Sequence, residues 1–256
     1  MKNGRERIMV KYGSKCVVGE NGSGLQKIDG YSPKIAQLHK SSDVLITTSG
    51  AVAKGALLRT EMGKTAENVD ERTLASNGSA LIVADWNHGL RPHGLMAGQV
   101  IISDRDMKKT RTRNFVSAYE EMGYDTIPVI NKNDVMTRRN DKNEELARLK
   151  IGGDNDWLAV MAAELVSATV VIFCTSGVEG VEVDGELQNT IHVADLEDLR
   201  EHMRPGNDEG KGSMLSKVMA ASWGVEVGNM KAYICNADAN YESMLAGQKI
   251  GTQVIQ

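Results

Sequence analysis

With 256 residues, 41% of them hydrophobic, the chain carries enough apolar material to bury a sizeable core, which excludes disorder as its ordinary state. A net charge of -4 with 25% charged residues gives no broad cationic surface, so nucleic acid is not expected as a partner. Apolar runs such as Val170 to Cys174 are far too short to span a bilayer, and the charged start (Lys2, Arg5, Glu6, Arg7) leads into no hydrophobic segment. A cytoplasmic location without a membrane partner is the expectation.

In chain order, the first element is Arg7-Ile-Met-Val-Lys-Tyr-Gly13, a short apolar run that ends in glycine and reads as a buried strand opening into a loop. Similar strands are predicted at Asp43 to Thr47, Gly98 to Ser103, Thr126 to Ile130, Thr169 to Cys174, Lys231 to Cys235 and Thr252 to Ile255. Helical patterns lie between them, at Ser32 to Lys40, Ala51 to Thr60, Arg72 to Asn87, Thr110 to Met122, Asn155 to Ser167 and Met214 to Trp223. The alternation predicts an α/β fold, a mostly parallel sheet between two helical layers. Val178 to Val193 departs from it and reads as a hairpin around Asp184-Gly185, placed off the main sheet. No proline-rich linker, repeat or low-complexity tract divides the chain, so residues 1–256 read as one domain.

The three cysteines, Cys16, Cys174 and Cys235, are widely spaced and two sit in strand-like runs, which predicts buried thiols and no disulfide. The five histidines never fall at a metal-ligand spacing, so no protein-held metal is predicted.

In open parallel sheets, ligands bind beyond the carboxyl ends of the strands. The residues found there are Lys11-Tyr-Gly-Ser14, Thr47-Thr-Ser-Gly-Ala51, Asn131-Lys-Asn-Asp134, Thr175-Ser-Gly177 and Asn236, joined by the glycine-rich loop Gly206 to Ser213. Gly13-Ser14 and Ser49-Gly50-Ala51 suit an anion, because small residues at helix N-termini expose N–H groups. Each glycine turn taken singly is equally well a backbone requirement; the inference rests on their occurring together. Two familiar phosphate motifs are absent. Gly206 to Ser213 is one residue short of a P-loop and has Gly212 where a magnesium-binding hydroxyl belongs, and Gly22-Ser-Gly24 lacks the third glycine of a dinucleotide fingerprint. Asp154-Asn155-Asp156 opens an apolar helix; capping explains one of the three, and a carboxylate there could steer lysines. Lys11 is the odd residue of its strand, as an edge position or a phosphate ligand, and Lys217 by itself reads as a surface charge.

These pieces in this order resemble the amino-acid kinase family, and its glutamate-kinase branch above all. The likeness runs from Ile8 to Ile255 and is carried by Val10-Lys-Tyr-Gly-Ser14, Thr48-Ser-Gly-Ala-Val-Ala-Lys-Gly55, Gly98-Gln99, Arg113-Asn114, Pro128-Val-Ile-Asn-Lys-Asn-Asp134, Gly153-Asp-Asn-Asp156, the Gly210 to Lys217 loop and Ile250-Gly-Thr252. It implies an αβα sandwich holding ATP, with its Mg²⁺, and a small acceptor at the strand ends. It implies Lys11 and Lys217 at the phosphoryl group in flight, with Asp156 holding both. L-glutamate, phosphorylated on its side-chain carboxylate toward proline, would lie against Ser49, Asn131, Asp134, Asp154 and Asn155. Gly13, Ser14, Gly50, Lys211 and Gly212 would cradle phosphates, Thr175 and Ser176 would lie by the nucleotide, and the protein would form homo-oligomers.

The chain departs from the family pattern in three places. Thr175-Ser-Gly-Val-Glu-Gly-Val181 replaces Thr-Asp-x-x-Gly-Leu-Tyr, Lys211 and Ser213 alter the glycine loop, and Gly78-Ser79 replaces Gly-Gln. No counterpart of the RNA-modification-type tail domain of many relatives is expected. These changes leave two further expectations, another small acceptor (carboxylate, carbamate or phosphate) or a weakly active nucleotide-binding regulator.

Overall fold

The computed structural model describes residues 4–19, 22–103, 106, 109–136, 155–202 and 213–256. Its frame is an eight-stranded sheet in the order β3-β4-β2-β1-β5-β9-β10-β8. The strands are β1 (Arg7–Tyr12), β2 (Asp43–Thr48), β3 (Met96–Ile102), β4 (Thr126–Lys132), β5 (Val170–Thr175), β8 (Thr190–His192), β9 (Lys231–Asn236) and β10 (Thr252–Ile255). All neighbours pair in parallel except β9 with β10, so β8 and β10 run against the rest. The parallel core matches the expectation from strand and helix alternation.

β1 is flanked by β2 and β5, and all six of its residues are buried. Its side chains alternate between two cores, as a strand's period of two demands. Ile8, Val10 and Tyr12 pack on one face with α1 (Ser14–Val17), α2 (Gly24–Ser41), α3 (Ala51–Glu61), α4 (Glu71–Leu90) and α9 (Tyr241–Leu245). Met9 packs on the other with α5 (Lys109–Glu121), α6 (Asn155–Leu165) and α8 (Met214–Glu226), beside which α7 (Leu196–His202) packs Leu196 and Leu199. The result is the three-layer αβα sandwich.

The hairpin forms as expected, with β6 (Val181–Val183) antiparallel to β7 (Glu186–Gln188) outside the main sheet. Asp184 and Gly185 both take positive φ, 52° and 84°, as a two-residue turn of this hand requires. The rest of the segment corrects the expectation: β8 joins the main sheet as its edge, because Ile191 is buried and β10 needs a partner on its open side. All three thiols are free and buried, as expected.

α2 is longer than its periodicity suggests, starting nine residues before Pro33. The proline removes one N–H from the ladder, yet the helix continues because Ile28, Tyr31, Ile35 and Leu38 are buried against the sheet. At its C-terminal end His39 accepts the Val44 N–H on Nδ1 at 3.2 Å and meets the Tyr124 carbonyl with Nε2 at 2.8 Å. A backbone N–H only donates and a carbonyl only accepts, so this ring is neutral with its proton on Nε2.

Burial pushes the His39 pKa below its ordinary value of 6.5, and the nearby Arg5 cation works in the same direction. A base with a depressed folded pKa gives its full stabilisation above its unfolded pKa. That stabilisation shrinks as pH falls from about 6.5 toward the lowered value, at up to about 1.4 kcal/mol per pH unit. The thermal midpoint is therefore expected to drop between pH 7.5 and 5.5, and to drop less in His39→Gln, which offers similar donor and acceptor atoms without titrating. Parallel pH curves for the two proteins would count against this account.

Candidate active site

Lys11 is the last but one residue of β1 and only 2% exposed. A lysine buried there costs several kcal/mol unless its charge is matched. The match is Asp156, fully buried in the first turn of α6, whose carboxylate makes an ion pair with the Lys11 ammonium. The other carboxylate oxygen lies 3.6 Å from Nζ of Lys217. Lys217 stands in the first turn of α8 and also donates to the carbonyl of Ser213 at 3.5 Å. Ser213 in turn caps that helix by accepting the Ser216 N–H at 3.2 Å. Asp156 sits at the N-terminal end of α6, where the helix dipole favours negative charge. One carboxylate thus holds two ammonium groups together from residues that lie 206 positions apart in the chain.

Both lysines line a cleft of about 760 Å³ at the carboxyl ends of β1, β2, β4 and β5. Its walls include Gly13, Ser14, Ser49, Gly50, Asp134, Asn155, Thr175 and Ser176, all anticipated, together with Lys15, Lys132, Cys16 and Cys174. Gly50 takes φ 101° between β2 and α3, a conformation that a side chain would strain, and a Cβ there would lie 3.0 Å from Val17 and Val18 methyls. The turn aims the N-terminus of α3 at the cleft. α3 is held there by a backbone approach to α4, since a Cβ on Gly78 would fall 2.0 Å from the Ala51 carbonyl oxygen. Gly78, which the family pattern retains, thus serves helix packing, and neither it nor the altered Ser79 lines the cleft.

Several anticipated residues take other parts. Asn131 is buried and does not line the cleft; its amide nitrogen donates to the Thr48 carbonyl at 2.9 Å and its Oδ1 is buried with no hydrogen-bond partner. Asn155 Oδ1 is also a buried acceptor without a partner. The Thr175 hydroxyl lies 2.6 Å from the Val178 carbonyl and 3.0 Å from that of Cys235, so it fastens the turn after β5. The Ser176 hydroxyl accepts from Lys27 at 3.2 Å. Asp154, Lys211 and Gly212 lie outside the described residues.

Burial pushes the Cys16 thiol up to about 12 and the Cys174 thiol well above its ordinary range, so both are protonated wall groups with little nucleophilic character. Lys15 escaped the sequence reading, and Lys132 entered it only within Asn131-Lys-Asn-Asp134, with no role of its own. The alternation of β4 could have found Lys132, because it shares a face with Ile130 and ends its strand. Among the described residues no group of three His, Cys, Asp or Glu is arranged to hold a metal ion.

Chemically, the cleft is built to receive phosphate. Among the described residues, lysines 11, 15, 132 and 217 outnumber the one lining carboxylate, Asp134, and the N-terminal N–H groups of α3 open onto the cleft. An open α/β sandwich with a cationic cleft at its strand ends is a phosphate-handling architecture. The family model described as amino acid kinase family matches residues 6–236, and the chain belongs to that family.

Among its relatives, a glutamate 5-kinase of Psychrobacter cryohalolentis is 29% identical over 96% of this chain, which spans 64% of that protein's length. A glutamate 5-kinase of Leishmania donovani is 28% identical over 90% of this chain and 86% of its own. In fold, the chain superposes on carbamate kinase from Giardia lamblia bound to AMP-PNP with a TM-score of 0.69, covering 99% of both chains at 12% identity.

Proposed function

We propose that this chain transfers the γ-phosphoryl group of MgATP to the side-chain carboxylate of L-glutamate, giving L-glutamyl 5-phosphate on the way to proline. We also propose that residues 1–256 act as one kinase domain in the cytoplasm. The observation that carries the reading is the buried Asp156 with the ammonium groups of Lys11 and Lys217 on its two oxygens, both lysines facing one cleft.

In this reading a carboxylate oxygen of the acceptor attacks the γ-phosphorus as the bond to the β,γ-bridging oxygen breaks, and ADP leaves with that electron pair. No proton moves, because a carboxylate is already ionised at neutral pH. What remains is alignment and neutralisation of charge on the equatorial and bridging oxygens. The Asp156 carboxylate fixes both lysines before substrate arrives, so their ammonium groups need no reorganisation during transfer. Gly13, Ser14 and Gly50 offer backbone N–H groups to phosphate oxygens. Magnesium enters with ATP as part of the substrate. The unpartnered acceptor on Asn155 and the carboxylate of Asp134 suit an ammonium group on the acceptor.

A coupled ADP-release assay with glutamate, aspartate, N-acetylglutamate, carbamate and UMP tests this. Glutamate is expected to raise the rate at least about tenfold above the others, the discrimination that one well-placed charged hydrogen bond supplies. Stimulation by another acceptor alone would move the substrate while keeping the chemistry. ATP binding by calorimetry without turnover on any acceptor would favour a regulatory nucleotide-binding protein, a reading motivated by the different use of Thr175 and Ser176.

A further inference from the structure

Lys132 lines the same cleft as Lys11 and Lys217. It ends β4, two residues after Ile130, just as Lys11 follows Met9 by two in β1. Ile130 and Met9 share one core cluster, so Lys132 leaves the sheet on the same face as Lys11. In register Lys11 stands opposite Thr47 and Thr47 opposite Ile130. Lys132 is therefore about 10 Å from Lys11 across two strand spacings and about 7 Å further along the strands.

Immediately afterwards the chain folds tightly. The Asp134 N–H donates to the Lys132 carbonyl at 2.9 Å, and the Asn133 N–H to the Ile102 carbonyl at 2.8 Å. This three-residue turn keeps Lys132 and Asp134, both cleft-lining, together at the end of β4. A cation and an anion two residues apart on the wall of one cleft, at that remove from the transfer point, are complementary to the carboxylate and ammonium of an α-amino acid.

We infer that Lys132 is a specificity-determining residue whose ammonium pairs with the α-carboxylate of the acceptor while Asp134 takes the α-ammonium. The inference rests on the glutamate-kinase reading above and adds to it the residue that reads the α-carboxylate of the acceptor. Carbamate has no second ionised group to meet Lys132.

The test compares L-glutamate with L-isoglutamine, which keeps the reacting carboxylate but carries an amide in place of the α-carboxylate, using MgATP and either the wild-type protein or Lys132→Met. A charge-assisted bond of this kind corresponds to roughly 30-fold in kcat/KM. The wild-type protein should prefer glutamate by about that factor. Lys132→Met should lose about 30-fold on glutamate, mainly through KM, but less than about threefold on isoglutamine, with KM for MgATP nearly constant. Lys132→Arg should keep the preference, since the charge is retained. Lys132→Gln answers the same question should the methionine variant not fold. A wild-type protein that uses both acceptors equally, or a folded neutral variant with its preference undiminished, overturns the role of Lys132 and leaves the kinase reading standing. Failure of every carboxylate to support ADP formation overturns both.

Discussion

Asp156→Ala is expected to destabilise the protein by about 3–5 kcal/mol and to abolish measurable turnover. The magnitude follows from what is left behind. Asp156 is fully buried, and Lys11, 2% exposed, would keep its charge without a partner. Removing one member of a buried pair exposes the whole desolvation cost of the other, which exceeds the net value of the pair itself. The double variant Lys11→Met with Asp156→Leu should therefore regain part of the lost stability while remaining inactive, because the strand site then holds no buried charge while Lys217, 7% exposed, still loses its carboxylate. Chemical denaturation of the three proteins checks this. A single-variant loss below about 1 kcal/mol, the scale of an exposed ion pair, would mean that water reaches the pair.

Lys217→Met should have the opposite profile, with kcat lowered by about a thousandfold and little change in stability. Lys217 stands at the cleft with its ammonium 3.6 Å from Asp156, which retains its ion pair with Lys11 in the variant. Cations placed on a transferring phosphoryl group contribute on the order of 10³ to 10⁵ in rate, since the charge they meet grows during the reaction. A steady-state assay with glutamate and MgATP, paired with circular dichroism, separates the lost cation from a lost fold. An unchanged rate would show that the lysines do not act on one phosphoryl group, and the reading of the site would fall.

Much of this frame could be read from the sequence because buried parallel strands announce themselves. Ile8 to Val10 and Val170 to Cys174 are apolar runs, and the carboxyl ends of β1, β2, β4 and β5 carry Lys11, Ser49, Asp134 and Thr175 to one cleft. The pairing of Lys11 with Asp156 and Lys217 was expected from family likeness, since nothing local in Met214 to Trp223 distinguishes a clefted lysine from a surface one. What stayed illegible has physical causes. α1 and α9 span four and five residues, too short to show a period. The first half of α2 was hidden by Pro33 and by glycines at its start, signals of a break that tertiary burial overrides. Side-chain direction within turns was not accessible either. Thr175 lines the cleft and Asn131 does not, and the Thr175 hydroxyl and the Asn131 amide nitrogen meet the Val178, Cys235 and Thr48 carbonyls.

The charged triad is drawn from β1, α6 and α8, so its first and last members enter the structure from nearly opposite ends of the polypeptide. A nascent or clipped chain lacking α8 would own the strand lysine and its counterion, but not the second cation that chemistry on phosphate demands. Partial products should thus be unable to squander nucleotide, and catalytic competence should appear only once the whole molecule has closed on itself.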